Sequence, residues 1–310
     1  MSNNSFTVIV NKKIKPFKKL IKVDSDKSLS IRSFLIGSIC QGVSIAKNIL
    51  ESDDVKSTIS SCRALGVKIT KTKSKHYLIY GKGLGSLRAK SNFLNFGNSG
   101  TLARLLIGIL SSTPGINIKI KGDHSLSKRN MSELISLMTK FGATFLPKNK
   151  FKLPFKLISS PVSVGIKYKA GVSAQLKSAV ILAGLNSYGN TLISEEKKSR
   201  DHTENLLKRN SQSIKIKNDK KKTITIMGKK NLKPLNINIP GDVSSSAFFA
   251  ALTILNTNSE VRIKDVGLNP TRIGFYSLLK KVNAKIKFLS LKKKNNELRG
   301  DIFIKSSKIK

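Results

Sequence analysis

Hydroxyl, amide and cationic side chains recur at the starts of predicted helices along this sequence. The first group is Lys27, Ser28 and Arg32, and the last two lie four positions apart on one helix face. The second is a glycine turn over residues 97–101 that leads into an apolar helical pattern. Backbone N–H groups at a helix N-terminus bind anions, and arginine suits bidentate contact with phosphate or carboxylate. Both groups therefore indicate recognition of a small anion.

Three further groups of the same kind bring the number along the chain to five. Arg129 stands just before one predicted helix, Ser173 and Gln175 begin another, and Ser199 and Arg200 precede a third. Taken singly, each group is more typical of a capped surface helix than of a binding site. Five in succession favour one cleft in which helix dipoles and cations face a substrate with several negative charges.

The helices that carry these groups belong to a repeating pattern. A leading helix, a short strand, a second helix and a strand hairpin recur roughly every 70 to 75 residues. The leading helices are predicted near residues 28–40, 101–110, 173–185 and 244–255. The sequence therefore predicts an α/β (α+β) fold of about four β-α-β-α-β-β units, with a separate first strand over residues 5–10.

The composition predicts a globular cytoplasmic protein. The chain has 310 residues, of which 39% are hydrophobic, and it is long enough for about two domains. Its apolar runs fall short of the roughly 20 residues that a membrane span needs, and no signal-peptide pattern begins it. We expect Cys40 and Cys62 to be buried or partly buried thiols. The three histidines are scattered and suggest no metal site.

The net charge of +41 suits anionic partners such as nucleic acid, acidic lipid or phosphorylated metabolites. Lysine tracts at 148–150, 220–222 and 292–294 lie between strand-like runs, where we predict turns that face water. Only 6% of residues are aromatic and tryptophan is absent, so stacking platforms for single-stranded nucleic acid are missing. A basic nucleic-acid-binding protein is the alternative from a different class.

Seven motifs stand in order along almost the whole chain, at residues 26–32, 97–101, 122–129, 173–179, 199–204, 240–245 and 266–272. At these residues the sequence resembles the 5-enolpyruvylshikimate-3-phosphate synthase family. Members of that family join phosphoenolpyruvate to shikimate 3-phosphate and release phosphate, without a metal or organic cofactor. The resemblance implies the enolpyruvyl transferase fold, these two substrates as partners, no nucleic acid or membrane partner, and a monomer in the shikimate pathway to aromatic amino acids.

The resemblance also implies roles for individual residues. Shikimate 3-phosphate would be bound by Lys27, Ser28, Arg32, Ser173, Gln175, Ser199 and Arg200. Phosphoenolpyruvate would be bound by Lys27, Asn98, Gly100, Thr101, Arg129 and Gln175. Lys27 would assist catalysis. A glycine rather than an alanine at position 100 would leave room for the inhibitor glyphosate in a completed enzyme.

The nearest alternative within the same fold is UDP-N-acetylglucosamine enolpyruvyl transferase. The motifs at 173–175 and 199–202 fit shikimate 3-phosphate better than the substrate of that enzyme. In addition, neither Cys40 nor Cys62 lies on the cleft loop where that enzyme uses its cysteine. The shikimate pathway enzyme is therefore the preferred interpretation.

Two departures from the family pattern affect these expectations. Asp24 and Ser25 replace the usual Pro-Gly at a hinge between domains, which we expect to alter closure more than contacts. The family has six repeats and this chain supplies about four, ending at Lys310. We therefore expect a C-terminally truncated chain that is inactive, because no residue matches the family's catalytic aspartate, which acts as a base, or its further contacts to phosphoenolpyruvate.

The family pattern also implies a division into domains. Residues 23–239 would form one complete three-repeat domain with the shikimate 3-phosphate site, and residues 1–22 plus 240–310 would form part of a second domain. Phe248, Phe249 and Ile254 would then belong to a core without its other repeats. We expect exposed apolar surface at these three residues.

Overall fold

A computed structural model describes residues 7, 9, 11–219 and 221–309. The strand predicted over residues 5–10 lies outside the described residues except at two positions. The helices are α1 (Lys27–Ile39), α2 (Asp53–Ala64), α3 (Gly100–Ser111), α4 (His124–Lys128), α5 (Ser132–Lys140), α6 (Ala174–Leu185), α7 (His202–Leu207), α8 (Val243–Leu255) and α9 (Gly274–Lys281). Within the described chain, no helix is both long and apolar enough to cross a bilayer.

The strands alternate with these helices as the repeating pattern predicts. They are β1 (Lys18–Ile21), β2 (Gln41–Lys47), β3 (Lys68–Lys73), β4 (His76–Lys82), β5 (Phe93–Asn95), β6 (Asn117–Lys121), β7 (Thr144–Leu146), β8 (Phe155–Ile158), β9 (Lys167–Ala170), β10 (Asn190–Glu195), β11 (Ile214–Asn218), β12 (Lys222–Met227), β13 (Asn236–Asn238), β14 (Glu260–Gly267), β15 (Ile286–Lys294) and β16 (Glu297–Lys305).

The strands of the described chain form four sheets of the same design. Their orders are β13-β2-β4-β3, β5-β6-β8-β7, β11-β12-β10-β9 and β1-β14-β16-β15. In each sheet one edge strand pairs in parallel with its neighbour: β13 with β2, β5 with β6, β9 with β10, and β1 with β14. The other two pairings of each sheet are antiparallel. The α/β fold of repeated units predicted from the sequence is confirmed.

Three of the four units share one apolar core, which we call the first core. Its buried residues run from Leu29 to Ile239, and α1, α3 and α6 lie at its centre with few exposed side chains. Helices α3 and α6 approach closely at Gly108, where an added Cβ would lie 2.6 Å from the carbonyl oxygen of Ala179. A glycine is needed at that contact because any side chain would meet backbone.

The fourth unit has a separate apolar core, which we call the second core. Its buried residues run from Val243 to Ile304 and include parts of α8, α9 and the β1-β14-β16-β15 sheet. The outer face of α8 is open, with Phe248 79% exposed and Phe249 44% exposed. The predicted exposure is confirmed at these two residues but wrong for Ile254, which packs on the inner face of the helix and is 3% exposed.

The lysine tracts differ in their surroundings. The tract at 148–150 lies in the β7–β8 connection, as predicted. The tract at 292–294 is instead the end of β15, and the turn follows at 295–296. The third tract was predicted to face water, but Lys222 begins β12 with a side chain only 13% exposed and two ion pairs, while Lys220 lies outside the described residues. Both cysteines are buried, as expected.

Candidate active site

The three central helices, α1, α3 and α6, each begin with a side-chain cap. The carboxylate of Asp26 accepts a backbone N–H from the first turn of α1 at 2.8 Å. The hydroxyl of Ser99 does the same for α3 at 3.2 Å, and that of Ser173 for α6 at 3.4 Å. Because these serines act as acceptors toward the helix, their own O–H hydrogens are left to donate to another group.

A cavity of about 410 Å³ opens beside these helix starts. Its lining residues are Ser28, Arg32, Thr101, Val172, Ser173, Ala174, Gln175, Ser199, Arg200, His202 and Thr271. Every residue for which the resemblance implies shikimate 3-phosphate binding is in this lining except Lys27. As the described residues form it, the lining contains two arginines and several hydroxyl groups and no carboxylate, which suits an anionic ligand.

Arg32 lies in the wall of the cavity with its guanidinium largely fixed. Its Nε donates to Thr203 Oγ1 at 2.8 Å, and its Nη2 donates to Ser178 Oγ at 3.2 Å. Its Nη1 donates to the carbonyl oxygen of Ser28 at 3.3 Å. Burial lowers the pKa of Arg32 to about 10, against the opposing effect of the nearby Asp26 carboxylate. The group therefore stays protonated at neutral pH and presents a fixed positive charge.

Ser199 and Arg200 enter the cavity from the segment before α7. Both the backbone N–H and the hydroxyl of Ser199 donate to Glu195 Oε1, at 2.8 and 2.7 Å. Arg200 is exposed, and partial burial together with the positive charge of Arg272 lowers its pKa. Ser199 is therefore held from behind by a carboxylate, whereas Arg200 is available to a ligand.

The glycine turn forms a second, more open part of the site. A Cβ added to Gly100 would lie 2.6 Å from Arg129 Nη1 and 3.1 Å from Arg104 Nη1, so two guanidinium groups stand next to this position. Arg129 also donates to Asn98 Oδ1 at 2.9 Å. Burial lowers the pKa of Arg104, and the charge of Arg129 lowers it further. Two cations held this close to each other favour an anion at the turn.

One hydrogen bond connects the two parts, while Lys27 forms an ion pair outside the cavity lining. Gln175 Nε2 donates to Thr101 Oγ1 at 3.0 Å, which joins the start of α6 to the start of α3. Lys27 does not line the cavity; its Nζ lies 2.8 Å from Asp54 Oδ2 on α2. The structure thus brings the residues of the glycine turn next to the cavity and leaves Lys27 in an ion pair at its edge.

The two cores meet at a pair of chain crossings beside the cavity. The N–H of Asp26 donates to the carbonyl oxygen of Pro240, and the N–H of Asp242 donates to that of Asp24, at 2.9 and 2.8 Å. Arg272 bridges the crossings, with its Nη1 2.6 Å from Asp26 and its Nη2 3.1 Å from Asp242. Asp24 therefore lies in the connection between the cores, outside the residues that line the cavity.

Sequence reasoning missed Asp54, Glu195 and Arg272. Asp54 lies in the first turn of α2, where a negative charge is favourable near the helix N-terminus whatever it contacts. Glu195 ends a strand, and Arg272 belongs to a motif whose partners are far away in sequence. No local signal connects these residues to the cavity, because each connection depends on contacts between units.

Comparisons with known proteins agree with this architecture. A family model described as EPSP synthase (3-phosphoshikimate 1-carboxyvinyltransferase) matches residues 11–304. The chain is 36% identical over 304 residues to the 3-phosphoshikimate 1-carboxyvinyltransferase of Zymomonas mobilis, covering 97% of this chain and 67% of that protein. The enzyme of the same name from Bacillus subtilis is 38% identical over 291 residues, covering 94% of this chain and 67% of that protein.

Solved structures give the same result. EPSP synthase from Acinetobacter baumannii superposes with a TM-score of 0.84 at 35% identity, covering 94% of this chain and 65% of that chain. The enolpyruvyl transferase NikO from Streptomyces tendae shares the fold, with a TM-score of 0.70 at 12% identity. The chain thus spans about two thirds of the length of these relatives. It belongs to the EPSP synthase (3-phosphoshikimate 1-carboxyvinyltransferase) family.

Proposed function

We propose that this chain takes part in transfer of the enolpyruvyl group of phosphoenolpyruvate to shikimate 3-phosphate, and that its own cavity binds shikimate 3-phosphate. The observation that carries the proposal is the lining of the cavity, where two arginines and the starts of α1, α3 and α6 converge without a carboxylate. A ligand with a carboxylate and a phosphate needs two anion sites in one cavity. Arg32 and Arg200 supply them from opposite elements.

The two arginines are assigned to opposite ends of the proposed ligand. Arg32 is fixed by Thr203 and Ser178, so it suits the shikimate carboxylate at one end. Ser173 and Arg200 suit the phosphate at the other end, and Ser199 would join them once its O–H turns from Glu195 to the ligand. The O–H of Ser173 is not used by its helix cap, and the exposed guanidinium of Arg200 has donors to spare.

Phosphoenolpyruvate is assigned to the glycine turn. Gly100 leaves the backbone open between Arg104 and Arg129, and the latter is held by Asn98. The Gln175–Thr101 hydrogen bond places this turn beside the proposed shikimate 3-phosphate cavity, so the two substrates would be neighbours. Lys27 is proposed to contact both substrates after exchange of its Asp54 partner. Fixed cations at both sites would stabilise charge that moves in the reaction.

We further propose that this 310-residue chain binds its substrates without turnover. The family's reaction protonates the methylene carbon of phosphoenolpyruvate while a shikimate hydroxyl attacks the neighbouring carbon, and a base is needed for that hydroxyl. The cavity lining, as the described residues form it, holds no carboxylate. We expect no phosphate release when the chain is incubated with both substrates; measurable phosphate release would overturn this part of the proposal.

The two cores support a proposal for the domain division. Residues 23–239 are proposed as one complete domain, since the first core runs from Leu29 to Ile239. Residues 1–22 and 240–310 are proposed as the second domain, because Phe17 and Ile21 pack against the core that begins at Val243. A cytoplasmic location and a monomeric state stay predictions from the sequence.

Titration calorimetry tests the binding proposal. We expect shikimate 3-phosphate to bind the chain at one site, and Ser173→Ala and Arg200→Ala to weaken binding by at least about tenfold through loss of donors to the phosphate. Lys221→Gln is the control, because Lys221 is exposed and outside the cavity lining. A folded chain that binds random duplex DNA in a salt-dependent way, without any effect of shikimate 3-phosphate, would instead support a nucleic-acid-binding protein.

A further inference from the structure

Two lysines and two glutamates form a cluster of ion pairs directly behind Ser199. Lys177 Nζ lies 2.7 Å from Glu195 Oε1 and 2.8 Å from Glu204 Oε1. Lys222 Nζ lies 3.0 Å from Glu195 Oε2 and 3.2 Å from Glu204 Oε1. The side chains of Lys177 and both glutamates are fully buried or nearly so. None of these four residues lines the shikimate 3-phosphate cavity.

The ionisation of the cluster follows from its pairing. Burial alone would raise the pKa of Glu195, but hydrogen bonds from Lys177 and Ser199 outweigh burial and lower it to about 2. Burial would lower the pKa of Lys222, yet the charges of Glu204 and Glu195 raise it. Glu195 and Lys222 are therefore charged at neutral pH. Lys177 forms an ion pair with Glu204, and the formal charges of the four side chains sum to zero.

This balance matters because of the position of Ser199. The Glu195 carboxylate accepts both the N–H and the O–H of Ser199, so a negative group stands one hydrogen bond away from the proposed phosphate site. An isolated carboxylate there would repel a phosphate. The two lysines cancel that repulsion while the carboxylate keeps its hydrogen bonds to Ser199.

We propose that Lys177, Glu195, Glu204 and Lys222 act as positioning residues that orient Ser199, and that the net charge of this cluster sets the affinity for the phosphate of shikimate 3-phosphate. The inference rests on the proposed function, because it assumes that the cavity binds this ligand. It assigns a role to Lys222 and Glu204, whose side chains touch the cluster and not the cavity.

Two substitutions that change the charge of the cluster in opposite directions distinguish an effect on ligand affinity from a purely structural role. Lys222→Gln leaves the cluster with a net charge of −1, and we expect the affinity for shikimate 3-phosphate to fall about tenfold. Glu204→Gln leaves a net charge of +1, and we expect tighter binding, although it breaks the same cluster. Combining the two substitutions restores neutrality and returns the affinity toward that of the unmodified chain.

Three controls accompany the calorimetry. Shikimate without phosphate should respond much less to either substitution. Lys222→Arg keeps the charge and should bind like the unmodified chain. Lys221→Gln makes the same change in formal charge at a side chain 64% exposed, where solvent and salt screen it, and should change the affinity by less than about twofold. Circular dichroism confirms that each variant is folded.

The outcomes distinguish failure of the proposed ligand binding from failure of the proposed role of the cluster. If the unmodified chain does not bind shikimate 3-phosphate, the proposed function fails. If it binds but Lys222→Gln and Glu204→Gln shift the affinity in the same direction, or if shikimate responds as strongly as its phosphate ester, the charge-balance role is wrong. Should Glu204→Gln fail to fold, equal binding by Lys222→Gln and Lys222→Arg would contradict the proposal.

Discussion

Helices α3 and α8 occupy equivalent positions in their units and are both strongly apolar, yet their surroundings differ. Helix α3 buries eleven of its twelve residues, while α8 buries five of thirteen. Helix α3 packs against α6 and shares a core with two other leading helices, whereas the main contacts of α8 among the described residues are with β14 and β16 of its own sheet. An apolar helix pattern therefore shows that a helix suits burial, but the neighbouring units decide whether it is buried.

The starts of the same helices differ in a second way. At the start of α3, Gly100 lies beside the guanidinium groups of Arg104 and Arg129, and Thr101 lines the cavity. At the start of α8, Asp242 and Ser244 are instead bonded to the guanidinium of Arg272. A helix start can thus serve as an anion site in one unit and as a joint between cores in another. The difference arises from the side chains that reach it from other units.

The largest expected effect contrasts a side-chain truncation in α3 with one on the open face of α8. Leu105→Ala in α3 removes a fully buried side chain and should lower the free energy of unfolding by about 2–5 kcal/mol. Phe248→Ala in α8 removes a larger but exposed ring and should change it by less than about 0.5 kcal/mol. Urea unfolding followed by circular dichroism checks both. Equal losses would show that α8 is covered in solution.

The next largest effect on stability is expected at the contact between α3 and α6. Gly108→Ala should destabilise the first core by about 1–3 kcal/mol, because the new Cβ would meet the backbone of Ala179. Gly274→Ala at the start of α9 is the matched control, since nothing lies within 4 Å of its added Cβ. The control should leave the unfolding midpoint unchanged or raise it slightly. If Gly274→Ala lost stability and Gly108→Ala did not, the close contact of α3 and α6 at Gly108 would be wrong.

A pH-dependent effect should come from the buried cluster of the first core. The pKa of Glu195 is about 2 in the folded chain against an ordinary value of 4.5, so its contribution to stability is complete above pH 4.5 and is lost as pH falls to about 2. Within this window, Glu195→Gln should reduce the slope of unfolding free energy against pH by up to about 1.4 kcal/mol per pH unit.

The matched control for this titration is Glu196→Gln. Glu196 is the next residue and is bonded to Lys169 and Lys221, but it lies in solvent, where salt screens its ion pairs. At moderate salt its slope should equal that of the unmodified chain. Identical slopes for all three proteins would show that Glu195 does not titrate below its ordinary pKa in the folded state.

The smallest expected effect on stability comes from the open face of α8. Leu255→Ser replaces an apolar side chain that is 76% exposed and should change the unfolding free energy by less than about 0.5 kcal/mol. Binding of a fluorescent dye that reports apolar surface should fall, because the exposed patch becomes smaller. Unchanged dye binding together with reduced stability would indicate that this face is packed.

Much of the fold was predictable because its signals are local. The caps Asp26, Ser99 and Ser173 mark helix starts within one residue, and alternating strand patterns mark the hairpins. The surroundings of Lys222 and Ile254 could not be predicted in the same way. A lysine tract has the same local pattern in a turn as in an ion cluster, and only its distant partners separate the two.

The candidate site was predictable to a similar degree. Residue types at helix starts predicted an anion cavity, and Ser28, Ser173 and Arg200 do line one cavity. The pairing of Lys27 with Asp54 was not predictable from spacing, because the two residues lie on different helices. Local chemistry therefore predicts which residues could bind an anion, while the packing of the units determines the neighbours of each residue.

The central claim is that the first core carries the shikimate 3-phosphate site. Amide hydrogen exchange of the chain with and without shikimate 3-phosphate tests it most directly. We expect slower exchange with ligand in peptides that cover residues 27–33, 173–178 and 199–203, and no change in residues 243–255. Exchange that is unaffected by ligand throughout the folded chain, or protection confined to residues 243–255, would show that the first core does not carry this site.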